Sequence, residues 1–439
     1  MIPSVYEVAR RLSVRACQTQ KLKAGMISLS VVMPIKKESS YLTSLLLSVL
    51  HRGTQSYPTI AALNRRLDYL FGTELSVRNY YRGDLHVFGL AADLIGEDYL
   101  PKGRAKPLME DVLEVMREIL FCPLLDENGL LLERYVESEK NLQCDAIRAL
   151  KNSPRAYAIE HCSATVYQNE PCGTPIYGTE EKVMAVTPKM LTEHWRSLVS
   201  DLKLHCFYVG PDAPGDVCDR VARAFSCVVD LPGDPPLAEP TRTPYLQRQT
   251  ERREEELPVS QGQLVIALRG AAVAGIDDTV ACTVFNEMLG VSPISKLFVN
   301  VRERRGLCYH CSSYYNMYKG TILISCGLHP DNREAAEREI LRQVTLLQEG
   351  SFGDDELLAA KRSLKNAYRQ IRDNPTATES FYFGRALYGV NKTLAETDEM
   401  IANVTREDVL RVANALMTDT VYFLNGTATD GEEADDDAE

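Results

Sequence analysis

Read as apolar and polar positions, the chain falls into short runs that alternate between strand-like and helix-like periods. Over residues 12–34, Leu12 and Val14, then Met26, Ile27, Leu29, Val31, Val32 and Met33, predict two strands. A polar turn over 18–23 joins them, and Pro34 closes the second. Ser39 to Leu50 carries Leu42, Leu45, Leu46, Leu47, Val49 and Leu50, the pattern of a largely buried helix stopped at Arg52-Gly53. Residues 59–71 predict an amphipathic helix ending at Gly72, and 75–81 with 85–92 a strand pair around Arg82-Gly83-Asp84. Long helices are expected at 107–121 and 127–150. The pattern breaks at Asn152-Ser153-Pro154, resumes over 161–167 and enters a turn-rich loop, Asn169 to Gly178. A helix over 187–200 and a strand over 204–209 complete this half.

Between 229 and 256 the composition shifts: Pro232, Pro235, Pro236, Pro240 and Pro244 precede a charge run over 248–256. Such a stretch buries little and predicts an extended linker. The earlier order then returns, with a strand over 263–269, a buried helix over 277–289 stopped by Gly290, a strand over 321–327 and long helices over 331–348 and 354–371. Lys140 to Pro154 ends A-L-K-N-S-P and Lys361 to Pro375 ends Q-I-R-D-N-P, with the same spacing to proline. Likewise Leu67 to Gly72 occupies the place of Val301 to Gly306, with Asp68 where the second copy has Arg302. The expected fold class is therefore α+β, two homologous halves, each a sheet backed by helices. The boundaries are 1–228 and 257–427, with the linker over 229–256 and an acidic, disordered tail over 428–439.

Composition narrows the function. At 439 residues the chain exceeds one ordinary core, and 45% hydrophobic with 25% charged residues is globular usage. A formal charge of −12 argues against nucleic acid as a partner; seven of the acidic residues lie in the last ten positions, leaving the body at −5. No run has the length of a membrane span. Arg10, Arg11 and Arg15 near the start are interrupted by Glu7, with no apolar run or small-residue cleavage pattern, so a cytoplasmic protein is expected. The twelve cysteines are scattered and expected to be reduced thiols.

One stretch carries the densest candidate chemistry. Ser292 to Tyr314 reads as a basic amphipathic segment (Leu297, Phe298, Val301), a glycine stop at Gly306 and a strand-like run through Tyr309 and Tyr314. Arg302 offers a fork of donors and Tyr309 a hydroxyl, together suited to a peptide carbonyl or a carboxylate. By residue type alone, a solvated helix-end arginine and a half-buried strand tyrosine fit better, since basic residues favour helix C-termini. Elsewhere, His51, His86, His161, His194, His205, His310 and His329 contain no pair at ligand spacing. Cys308-x-x-Cys311 lies on an expected strand, whose alternation would put its sulfurs on opposite faces. His161 and Cys162 are helix neighbours that point apart. There is no nucleophile elbow and no phosphate loop.

The duplicated pattern resembles the insulinase/pitrilysin family of zinc metallopeptidases, in the two-domain branch that includes the mitochondrial processing peptidase. The resemblance covers nearly the whole chain. S-K-L-F-V-N-V-R-E-R-R-G-L-C-Y (295–309) is similar to the family's second-half pattern, Asn169 to Gly178 to its P-x-G-x-P-x-x-G loop, and Leu50 to Thr54 to the end of its first helix. It implies two halves closing as a clamshell around a peptide.

Active members carry H-x-x-E-H, two imidazoles on one helix face with a glutamate base between them. Those positions here are Ser44, Leu47 and Ser48, so the resemblance implies no catalytic residues, no bound metal and no cofactor. Glu137 matches the family's third ligand position, while its helper glutamate is replaced by Leu130. Arg302 and Tyr309 match the family's substrate-binding arginine–tyrosine pair. The implied function is an inactive metallopeptidase homologue, a pseudoenzyme that binds peptide or protein and assists a zinc-bearing homologous subunit in a heterodimer. A purely structural scaffold, or self-association, is the alternative. Leu46 to Pro58 and Leu67 to Ser76 further resemble a zinc-less bacterial group associated with elongation factor P modification.

Overall fold

The computed structural model describes residues 2–235, 248–270 and 276–427, so the expected acidic tail and the centre of the expected linker lie outside the described residues. The chain forms two compact units, and neither follows one half of the sequence. Unit 1 takes residues 1–147, 174–241 and 370–393; unit 2 takes 148–173, 242–369 and 394–439.

Unit 1 holds a six-stranded sheet. Its strands are β1 (Ser4–Ala9), β2 (Leu12–Gln18), β3 (Ala24–Pro34), β4 (Leu75–Arg82), β5 (Leu85–Ile95) and β6 (Leu204–Gly210), in the order β1-β2-β6-β3-β5-β4. Unit 2 holds five strands: β7 (Glu251–Leu257), β8 (Gly262–Gly270), β9 (His310–Asn316), β10 (Thr321–Leu328) and β11 (Leu416–Gly426), in the order β7-β11-β8-β10-β9. The two sheets repeat one pairing scheme. In each, a central strand (β3, β8) pairs antiparallel on both sides, a hairpin strand (β4, β9) forms one edge, and a single parallel pair (β2 with β6, β7 with β11) lies toward the other. Duplication is therefore visible in topology as well as in sequence, with β1 an extra strand on unit 1.

The central strands are apolar along their length because both faces are covered. On one face of the unit 1 sheet, Leu29 and Val31 meet the Ser40–Leu50 and Leu108–Phe121 helices in one core with Leu46, Leu50, Val112 and Met116. On the other, the Pro375–Ala386 helix packs against β6 and β3, with Phe383 5.7 Å from the His205 ring. In unit 2 the corresponding cover is the Pro154–Val166 helix, whose Tyr157, Ala158 and Cys162 pack on Val265, Ala267 and Tyr422. Both covering helices begin at the proline of the sequence repeat, in the first turn where a missing N–H costs nothing. Each cover is also held by a buried glutamate. Glu379 accepts from Ser28 and pairs with Arg78 in unit 1, and Glu170 pairs with Arg269 at 2.7 Å and Lys319 at 2.5 Å in unit 2.

Several expectations need correction. Most of the charge run over 248–256, expected as linker, forms β7: Arg252, Arg253, Glu254 and Glu256 face water while its backbone joins β11. The break at Asn152-Ser153-Pro154 does end one helix, at Ala149, but the next begins at Pro154 itself and not at 161. The Pro214–Ala224 helix and β1 were not among the expected elements.

Candidate functional site

Ser44, Leu47 and Ser48 lie on the Ser40–Leu50 helix, beside the antiparallel Glu133–Ala149 helix. Gln143 donates to the Tyr41 carbonyl at 3.3 Å at one end of this contact, and Arg52 to the Ser138 hydroxyl at 2.9 Å at the other. Ser44 is already committed: its hydroxyl donates to the Ile176 carbonyl (2.8 Å) and accepts from the Asn79 amide (2.7 Å). Asn79 in turn accepts from His86 at 2.6 Å, and burial holds His86 neutral, its pKa down at about 3. Leu47 is packed into the core. Ser48 turns its hydroxyl back to the Ser44 carbonyl at 3.4 Å.

On the facing helix Lys140 binds Glu137 at 2.8 Å, so the carboxylate at the third ligand position is neutralised by an ammonium one turn away. Arg52 pairs with Glu139, whose carboxyl burial nonetheless holds above the usual range. Two serines, a leucine and an internally paired carboxylate offer a divalent cation no imidazole and no free anionic oxygen. Asn79 and His86 were not legible in the sequence as members of this cluster; only the strand register brings them in.

Arg302 sits on a wide helical turn, Phe298–Glu303, in which Arg304 N–H reaches back five residues to Val299 at 2.9 Å. Its guanidinium lies 4.9 Å over the Phe298 ring and 3.7 Å from Glu303, and its side chain stays 43% exposed. The chain then turns at Gly306, in the left-handed region at φ 60°. This is the same turn as at Gly72, φ 67°. The glycine N–H bonds four residues back, to Arg302 at 3.0 Å or Asp68 at 3.2 Å, and the next N–H six residues back, to Val301 at 3.1 Å or Leu67 at 3.2 Å. Tyr309 follows, tied through its backbone N–H to Gly327 at 2.8 Å, one residue before β9 begins. It is 56% exposed, not half-buried on the strand, and its hydroxyl has no hydrogen-bond partner among the described residues. Burial lowers the pKa of His310, with Arg155 and Arg302 adding to it, but among the described residues no contact joins Arg302 to Tyr309.

The family model described as "Peptidase M16 inactive domain" matches residues 185–364. "Probable inactive metalloprotease YmfF" of Bacillus subtilis is 28% identical over 95% of this chain and 96% of its own length. The beta subunit of the mitochondrial-processing peptidase of Saccharomyces cerevisiae is 22% identical over 71% of this chain and 69% of its own. The crystal structure of a conserved protein from Enterococcus faecalis V583 superposes with a TM-score of 0.86, at 21% identity, over 98% of this chain and all of that one.

Residues 185–364 are thus similar to the peptidase M16 inactive domain, and nearly the whole chain is similar to an inactive metalloprotease.

It is a non-catalytic homologue of such peptidases, and the geometry says why. A serine hydroxyl at neutral pH is a poor ligand, and Leu47 can neither take nor give a proton. His161 and Cys162 supply no replacement. Cys162 is buried with its thiol pushed far up by desolvation, while His161 stacks on Tyr157 at 3.9 Å and faces Glu255.

The reading of Cys308 and Cys311 is overturned. The thiols of Cys308, Cys311 and Cys326 all lie within 4.8 Å of one another. Alternation does not apply to Cys308, because β9 starts at His310 and Cys308 belongs to the turn before it. Cys326 stands opposite Cys311 across the β9–β10 ladder. A sequence gives no sign of that third thiol, because it depends on register.

Proposed function

We propose that this chain is a peptide-binding subunit that assists a zinc-bearing homologue. The observation that carries the reading is an asymmetry. The unit that would hold zinc has filled the ligand positions with Ser44, Leu47 and Ser48, while the other keeps Arg302 and Tyr309 exposed, with the Tyr309 hydroxyl unspent. A guanidinium and a phenol already aimed at solvent can donate to a peptide carbonyl or to the oxyanion that develops when it is attacked.

Edge strand β4 supports peptide binding as well. It pairs only with β5 and borders a cleft of about 690 Å³ lined by Asp68, Glu74, Arg78 and Asp93. Unpaired edge N–H and C=O groups accept an extended peptide as an added strand. The carboxylates favour basic side chains on it. The mitochondrial-processing peptidase protein matched above is named as a subunit, which fits a paired mode of action for this chain too.

The test mixes the purified chain with a homologue carrying H-x-x-E-H and follows both complex formation and peptide cleavage. A complex is expected, with cleavage that falls at least tenfold for Arg302→Ala combined with Tyr309→Phe. An unchanged rate would falsify assistance by this pair and leave a scaffold. The tie to elongation factor P rests on the likeness of 46–58 and 67–76 to that bacterial group. Deleting the gene and weighing the factor tests it, and an unaltered mass rejects the link.

A further inference from the structure

Unit 2 contains one cluster that the peptide-binding reading does not use. Cys308, Cys311 and Cys326 present three sulfurs within 4.8 Å of one another, at the point where the chain leaves the Gly306 turn and enters β9. Cys311 and Cys326 face each other on the core side of the sheet, and Cys308 folds over them from the preceding turn, half-buried. With Zn–S bonds of about 2.3 Å, tetrahedral coordination sets sulfurs about 3.8 Å apart, so the cluster needs to contract by at most about 1 Å.

Among the described residues no carboxylate or imidazole completes the group, so its donors are all soft. Such a set selects thiophilic cations over magnesium or calcium. Cys308 provides the open side: a water or a partner's atom would take a fourth position there.

We propose that Cys308, Cys311 and Cys326 form a three-thiolate site for a thiophilic d10 cation, zinc(II) or copper(I), distinct from the peptidase zinc position that this chain has lost. Binding forms three metal–sulfur bonds and releases up to three thiol protons to solvent, without any change of oxidation state, so affinity rises with pH. The ion pins the first residues of β9. Because Tyr309 lies between two of the ligands, it also fixes the backbone that carries this exposed phenol. The competing account is that three cysteines simply fill core volume, as small apolar residues do.

The experiment uses the full chain reduced with a phosphine and freed of metal. Zinc(II) is titrated against a chromophoric chelator and copper(I) against a copper(I)-specific one, which separates the two ions. One equivalent of one ion, held at least tenfold more tightly than by Cys308→Ala, is expected. The exposed Cys227→Ser control should bind like the parent. Cobalt(II) should give intense thiolate-to-metal absorption that Cys308→Ala loses.

Buried Cys326→Ser can unfold, so alkylation mapping on the unmodified chain supplies a second readout. Bound metal should protect Cys308, Cys311 and Cys326 and leave Cys227 reactive. No stoichiometric binding of either ion, equal binding by Cys308→Ala, or protection mapping to other cysteines would each overturn the proposal.

Discussion

Acid should unfold unit 1 well before it unfolds unit 2. Burial drives the pKa of His86 and His205 down to about 3, and that of the half-buried His194 to about 4. All three belong to unit 1. In the unfolded chain each imidazole takes its proton near pH 6.5, so between there and pH 4 the unfolded state binds protons that the folded state refuses. Stability is full above about pH 6.5 and is lost as pH falls toward the folded values.

At pH 5 a fully depressed histidine costs about 2 kcal/mol relative to pH 7, so His86 and His205 together cost roughly 4 kcal/mol, with a smaller share from His194. Buried Glu139 and, more weakly, exposed Asp93 work in the opposite sense, since their raised pKa values let the folded state gain protons first. The net loss should be about 2–4 kcal/mol, a large part of the 5–15 kcal/mol typical of a domain. The assay is urea unfolding from pH 7.5 to 4.5. The single tryptophan, Trp195, sits in unit 1 and donates to the Leu120 carbonyl at 3.0 Å, so its fluorescence reports that unit alone. The His86→Gln, His205→Gln double variant should flatten the pH dependence whatever its absolute stability. A loss below about 1 kcal/mol between pH 7 and 5, or an unchanged slope in the double variant, refutes the reasoning.

Three further outcomes are expected from stability measurements. Glu379→Ala should destabilise unit 1 by about 3–5 kcal/mol, because it leaves the Arg78 guanidinium facing an apolar helix without its anion, while Glu379→Gln, still able to accept from Ser28, should cost less; equal effects would show that charge is irrelevant there. Gly306→Ala and Gly72→Ala should cost about 1–2 kcal/mol each, from the left-handed backbone alone, since neither added methyl meets another atom; unequal thermal shifts beyond that range would argue that the two turns are not equivalent. Asn79→Ala strips His86 and Ser44 of a buried partner and should lower stability by about 1–3 kcal/mol by denaturant titration, with no effect meaning that water replaces the amide freely.

Much of this fold was legible because apolar spacing reports burial, and burial is what the sheets and helices share. The helices over 40–50, 60–69 and 108–121 and the strand pair over 75–95 stand where that pattern put them. The duplication was legible too, from Gly72 and Gly306 and from the two prolines. Failures occurred where backbone pairing, not side-chain burial, decides the element. β7 is written in glutamate and arginine, yet its hydrogen bonds with β11 make it a strand. In the site, residue types revealed what Ser44, Leu47 and Ser48 cannot do, but not the Ser44–Asn79–His86 chain that stands beside them. The thiol cluster escaped for the same reason, since residue 326 meets 311 only through register.

The two covering helices have a consequence for how this protein is made. Unit 1 includes residues 370–393, and unit 2 includes residues 148–173. At elongation rates of about 5–20 residues per second, the ribosome needs on the order of tens of seconds to pass from the end of β6 to the helix that covers it. Through that interval the nascent sheet holds one apolar face without its lid, a surface that invites chaperones or aggregation. For the same reason, a gene cut near residue 250 would yield two incomplete products, and circular permutation at that point preserves what truncation destroys.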